Sequence, residues 1–261
     1  MCGRFVLVDK IDVIEKTFNA KLTDGGTLYA PNYNISVGQK SLVVINEDPK
    51  HLQYFKFGLT PSWAKKQMYL FNARSEGDHN KNNDPHFRGA KGIIEKPAFR
   101  SSIRSKRCLV VASAFIEGTT TEGLDKPFLV HLKKRPFAFA GIWDIWTNPE
   151  NQEVIQSFSI ITTSANELLQ KIPHHRMPVI LPDHAFHTWL NQNSALSQIT
   201  ELLVQYPAER MNAYPISPDI KSTKNNSKVL LYQLGEKLNP ESEIRSYKTL
   251  QEKGFGRRKR F

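Results

Sequence analysis

Residues 108–116 read Cys-Leu-Val-Val-Ala-Ser-Ala-Phe-Ile, nine positions of which all but one serine are apolar or small. A run of that length, rich in β-branched and aromatic side chains, is the pattern of a strand buried on both faces. It is therefore expected to form a buried central strand. Residues 128–132, 137–142 and 158–162 continue the theme, and residues 4–8, 42–45 and 52–57 read as further strands. Helical spacing is rarer. Ile11, Ile14 and Phe18 predict a helix over 10–19, and shorter helices are expected over 166–170, 183–190 and 196–204. The 183–190 helix opens on the start signal Pro182-Asp183. Residues 76–87, with Gly77, Asn80, Asn82, Asn83 and Pro85, carry strong turn chemistry and read as a loop. The residues thus predict an α+β chain built around a β-rich core.

The 261 residues suit one large domain or at most two small ones, and no internal repeat or long linker divides them. No apolar run approaches the roughly 18 residues that span a bilayer. The Met-Cys-Gly-Arg-Phe opening lacks a signal-peptide hydrophobic region. An intracellular, soluble protein is expected, in the cytoplasm or nucleoid. Cys2 and Cys108 make no disulfide framework, and Cys108, inside an apolar run, is expected to be inert. The net charge of +11 favours a polyanionic partner, nucleic acid before acidic membrane. Part of that excess is Lys253, Arg257, Arg258, Lys259 and Arg260. Residues 241–261 therefore read as a basic tail, either a solubilising end or a DNA-tracking segment.

Position 2 carries the most specific chemistry. Removal of Met1 gives Cys2 a free α-amine beside its thiol, a 1,2-aminothiol. The reference pKa values, about 7.7–8.0 for the amine and about 8.5 for the thiol, leave part of each nucleophilic near neutral pH. The amine forms a Schiff base with an aldehyde, and the adjacent thiolate closes on the imine carbon to give a thiazolidine. The second step is intramolecular and gains a large effective concentration. Position alone also allows a cysteine that packs as a small hydrophobe. A Cys-Gly opening equally suits an N-terminal nucleophile amidotransferase.

Three further segments separate these readings: Phe71-Asn72-Ala73-Arg74-Ser75-Glu76, Ala114-Phe115-Ile116-Glu117-Gly118, and Pro173-His174-His175-Arg176-Met177-Pro178. With the Cys2-Gly3-Arg4-Phe5 opening, they resemble in order the SRAP (SOS-response-associated peptidase) family of abasic-site processing proteins. Tyr33-Asn34 before Gly38, Pro61-Ser62-Trp63, Thr162 and Pro215-Ile216-Ser217 extend the resemblance to about residue 217. It implies curved antiparallel sheets or a barrel-like core with peripheral helices, over a catalytic and DNA-binding domain of residues 2–240. It also implies a covalent crosslink between Cys2 and the C1′ aldehyde of an abasic deoxyribose in single-stranded DNA. Abasic-site lyase activity and self-removal of Met1 belong to the same expectation.

Glu117 then stands at the family's active-site glutamate and His174 at its acid/base position. Asn72 suits orienting the opened sugar or the α-amine. Arg4 and Arg74 are expected to grip phosphates, with Asn34 and Thr162 lining the site and Trp63, beside Lys65 and Lys66, offering a stacking face. The tryptophans at 143, 146 and 189 read as core. Gly118 departs from the tryptophan that many family members carry after the glutamate, and Ser36-Val37 departs from Ala-Pro. No cofactor or metal is expected, since metal-ligand spacings, a Walker loop and a Rossmann fingerprint are all missing from the sequence. Nothing demands more than a monomer. The alternatives are an amidotransferase-type hydrolase and a non-covalent single-strand binder.

Overall fold

The computed structural model describes residues 3–23 and 29–240. Cys2 and the basic tail from residue 241, both singled out in the sequence, lie outside the described residues.

Two sheets carry the fold. The first is antiparallel and five-stranded, in the order β14 (Met211–Pro215), β9 (Gly123–Leu132), β8 (Ala114–Thr119), β1 (Arg4–Leu7) and β3 (Asn32–Ser36). The second closes on itself. Here β7 (Arg107–Ala112) pairs with β4 (Lys40–Ile45) and β10 (Phe137–Thr147), and β10 pairs with β11 (Val154–Ser164). The ring is completed by β5 (Asp48–Phe57), antiparallel to β4 but parallel to β11, with Phe57 opposite Phe158. Closure removes the open edges that a flat sheet would expose. Short strands decorate this barrel: β2 (Lys21–Leu22) lies parallel on β5, and β6 (Asn72–Arg74) parallel on β11. On the other side β12 (Arg176–Pro178) is antiparallel to β11, and β13 (Ile180–Leu181) antiparallel to β10. The β-rich, barrel-like core expected from the sequence is present; the second sheet is mixed rather than antiparallel.

The 108–116 run is not one central strand. It is two strands in different sheets, β7 and β8, broken at Ser113. The break has a polar cause: the Ser113 hydroxyl accepts from the amides of Val8 and Asp9 and donates to the Asp9 carboxylate at 2.6 Å. That corner lets a single apolar run serve both sheets. The two sheets then meet through phenylalanines. Phe5 of β1 packs edge-on against Phe57 and Phe139 of the barrel, and Phe115 of β8 also meets Phe139. Alternation along β1 buries Phe5 and Leu7 in this core, while Val6 joins a second apolar cluster on the opposite face with Ala114, Ile116 and Leu129.

Helices are short and peripheral: α1 (Ile11–Phe18), α2 (Ser102–Ser105), α3 (Glu167–Lys171), α4 (Phe186–Leu190) and α5 (Leu196–Glu201). Residues 183–185, expected at the start of a helix, form a 3-10 turn that leads into α4. Asn166 caps α3 by accepting from the Leu169 amide at 3.1 Å, which aims the following loop at the sheet end. Trp143, Trp146 and Trp189 are buried as expected, and Cys108 is a fully buried thiol whose pKa burial pushes well up. No helix among the described residues is long and apolar enough to cross a membrane.

Candidate functional site

The site is built where β1 and β8 run out together at one end of the five-stranded sheet. Phe5 pairs with Phe115 and Val6 with Ala114 in antiparallel register, so the start of the chain lies beside the C-terminal half of β8. Glu117 follows Phe115 by two positions and shares its inward face. It is buried at 2% exposure. The loop after α3 then brings His174, 7% exposed, over the carboxylate: Nε2 lies 3.3 Å from Glu117 Oε2. Two backbone bonds fix this approach. The His174 amide donates to the Leu169 carbonyl, and the Thr120 amide, just beyond β8, donates to the Pro173 carbonyl at 3.1 Å.

His174 Nδ1 is 2.9 Å from the Arg176 carbonyl oxygen, which can only accept, so Nδ1 carries a hydrogen. Nε2 is then the ring nitrogen that faces the Glu117 carboxyl. Gly3, Arg4, Glu117, Gly118 and His174 line one cavity of about 200 Å³. His174 also borders a second recess of about 260 Å³, whose other wall is the 82–85 loop. The imidazole is the shared wall of the two.

Arg74 organises that loop. Its guanidinium donates to the Asn80 carbonyl and to Asn83 Oδ1, while Asn80 closes its own turn onto the backbone of Asp84. Asn72 sits two residues earlier on β6, opposite Ile160 of β11, with its amide nitrogen donating to the Phe71 carbonyl. It lines neither cavity.

Two expected contact residues are placed differently from the sequence reading. Asn34 is 1% exposed, and its amide nitrogen is shared among the carbonyls of Ile220, Ser222 and Asn225, while Oδ1 accepts from Arg4 at 2.7 Å. It braces Arg4 from behind instead of facing the cavity. Thr162 is likewise 1% exposed and stands behind the site, its carbonyl 3.0 Å and its hydroxyl 3.2 Å from Arg176 Nη2. Trp63 is 61% exposed beside Lys65 and Lys66 but lines neither cavity. Arg4 does line the first, its guanidinium also donating to the carbonyls of Ile220 and Lys221, and burial lowers its pKa.

A buried ion pair missed in the sequence supports the His174 loop. Arg176 Nη2 lies 2.8 Å from Glu76 Oε2, and Glu76 Oε1 accepts from the Thr163 hydroxyl and the Ser164 amide. Burial pushes the Glu76 carboxyl up, but the hydrogen bond and charge of Arg176 outweigh it and hold the group below its ordinary value. Arg176 Nε and Nη1 are buried with no partner among the described residues. The signal was available: both residues stand in the quoted motifs, with opposite charge at the ends of apolar segments.

The fold is thus a β-rich one whose first strand runs beside a buried carboxylate–imidazole pair. The chain belongs to the SOS response associated peptidase (SRAP) family, whose model matches residues 1–223. It is 37% identical over 240 residues to the abasic site processing protein YoqW of Bacillus subtilis (strain 168), covering 88% of this chain and 99% of that one. It is 27% identical over 237 residues to the abasic site processing protein HMCES of Gallus gallus, covering 76% of this chain and 65% of that one. The crystal structure of a Bacteroides thetaiotaomicron protein, 25% identical, superposes with a TM-score of 0.76 over 90% of this chain and all of that one.

Proposed function

We propose that this protein processes abasic sites in single-stranded DNA by bonding Cys2 covalently to the ring-opened sugar. One observation carries the reading: Gly3, to which Cys2 is bonded, lines the same cavity as Glu117 and His174. The relatives' shared name supplies the substrate class. The α-amine of Cys2 adds to C1′ and forms a carbinolamine. A proton from the His174–Glu117 pair goes to its hydroxyl, which leaves as water, the nitrogen returns its proton to the pair, and an imine remains. The thiol sulfur then bonds to the imine carbon, its proton ends on nitrogen, and the thiazolidine closes with a net loss of one water. Reversal through the same pair adds the water back and frees Cys2 and the sugar aldehyde; a lyase step would instead eliminate the 3′ phosphate from the imine.

The DNA runs past both recesses that His174 divides, with the lesion in the Gly3–Glu117 cavity and flanking backbone along the 82–85 loop. Arg4 and Arg74 hold phosphates, Trp63 stacks a base further along the strand, and Asn72 orients the sugar or the amine. Asn34 and Thr162 act indirectly, by setting Arg4 and Arg176. The protein works as an intracellular monomer, and Met1 must be gone, whether by its own peptidase action or by an aminopeptidase.

The test mixes untagged protein with an oligonucleotide holding one abasic site and reads a denaturing gel. A shifted band lost in Cys2→Ala, and lost when Met1 is retained, is the expected result. A band that persists in either case overturns the reading.

A further inference from the structure

A large groove lies away from Glu117 and His174, over the face of the five-stranded sheet that carries Val6, Ala114 and Leu129. We infer that this groove is a second, non-covalent site for single-stranded nucleic acid. Its volume is about 790 Å³, within the range of roughly 300–1,000 Å³ typical of ligand sites. The floor is the outward face of the sheet, where Val6, Ala114 and Leu129 alternate with the core-facing Phe5, Phe115 and Val130. Glu117 faces the core side of the same strand as Ala114, and the two cavities share no lining residue.

The lining combines two chemistries that single-stranded nucleic acid requires. Lys133, Arg135 and Lys228 place cationic side chains around the rim, with Lys237 beside them, and among the described residues no carboxylate lines the groove. Arg135 is paired with Asp9, whose Oδ1 lies 3.4 Å from Nε while its Oδ2 accepts from the Ser113 hydroxyl, so the cationic excess rests mainly on Lys133 and Lys228. Tyr214 on the floor and Tyr232 on the wall offer aromatic faces, with Tyr33 at the far strand. Tyr232 is 54% exposed, which leaves its ring open to a base. Cations that track a backbone, interleaved with rings that stack bases, give affinity without sequence preference. A lipid surface or a phosphopeptide would use the cations but has no call on three tyrosines in a concave, apolar-floored groove.

The test uses an undamaged oligonucleotide of about eight nucleotides, short enough to fill one site at a time. Calorimetric titration of the full chain at low salt is expected to show two oligonucleotides bound per protein. Lys133→Glu/Lys228→Glu, both on exposed side chains, is expected to leave one. For a longer strand it should flatten the log K against log salt slope by about 1.4, since each neutralised phosphate contributes about 0.7. Tyr232→Ala is expected to weaken the second site about tenfold with the slope unchanged. A single oligonucleotide bound to the unmodified protein overturns the inference. So does an equal loss from the matched reversal Lys16→Glu/Lys50→Glu elsewhere on the surface, or a loss seen only for anionic vesicles.

Discussion

His174 reaches Glu117 through Nε2 at 3.3 Å while its Nδ1 is tied to the Arg176 carbonyl at 2.9 Å. The second bond fixes which nitrogen can exchange a proton with the carboxyl. Glu117→Gln keeps the shape but removes the exchangeable proton, and His174→Ala removes the ring. Both are expected to slow crosslink formation by about 10²-fold or more, the usual contribution of a positioned acid or base. Binding of undamaged single strands should stay unchanged. Rapid-quench time courses on abasic DNA, beside anisotropy on undamaged DNA, check the separation. An equal loss in both measurements would assign the pair to binding.

Gly118 gives a second prediction. A Cβ built there would fall 1.8 Å from the Gly123 carbonyl oxygen, and the β8–β9 register slips between Gly118 and Thr119. Gly123 itself has φ +54°. The hairpin therefore closes tightly because Gly118 brings no Cβ to the crossing and Gly123 takes a left-handed backbone. Backbone must move to admit even alanine, and overpacking of this kind costs about 1–3 kcal/mol. Gly118→Ala is expected to lower the denaturant midpoint and to shift Glu117 against His174, with slower crosslinking as the second readout. Gly118→Trp, the residue many relatives were expected to carry here, should be worse in this chain unless the hairpin is opened.

Much of this was legible in the sequence because the chemistry-bearing residues sit in short local motifs at strand ends. Alternation and apolar runs located most of the long strands, and Glu117 and His174 were named from their motifs. Short strands were not legible. Three residues such as Asn72–Arg74 cannot show a period, and β6 exists because β11 offers it a parallel edge. The 108–116 run misled for a related reason: hydropathy does not register a corner made by one serine hydroxyl. Asn34 looked like a contact residue because an amide serves a ligand and a loop equally well. Only the fold shows that three carbonyls of residues 220–225 consume it.

That commitment makes Asn34→Ala a stability variant first. It strips Arg4 of a 2.7 Å acceptor and removes the donor that ties the carbonyls of Ile220, Ser222 and Asn225 together, although Ile220 keeps Arg4. A cost of about 1–3 kcal/mol is expected from the lost bonds of a buried side chain. For a chain of this size that is about 2–12 °C in Tm. Thermal denaturation checks it, and a full-length variant that melts with the parent protein would return Asn34 to the list of direct DNA contacts.

Glu76 and Arg176 predict how the protein responds to acid. The Glu76 carboxyl is held below its ordinary value in the folded protein, chiefly because Arg176 outweighs the upward push of burial. Between the folded and unfolded values the unfolded chain binds the extra proton, so stability rises with pH across that window. The contribution is complete above the ordinary glutamate value of about 4.3 and is lost as pH falls through the folded one. Glu76→Gln should therefore flatten the acid limb of the stability curve. At neutral pH it should cost about 3–5 kcal/mol, since the Arg176 guanidinium, 95% buried by its 5% exposure, is left unpaired. Replacing both residues, as in Glu76→Gln/Arg176→Met, removes the uncompensated charge and should recover part of that loss. Denaturant unfolding at about pH 3, 4 and 7, below and above the free carboxyl value of about 4.3, measures all three proteins. If the single variant keeps the parent's pH dependence, the acid limb is set by other carboxylates and not by this pair.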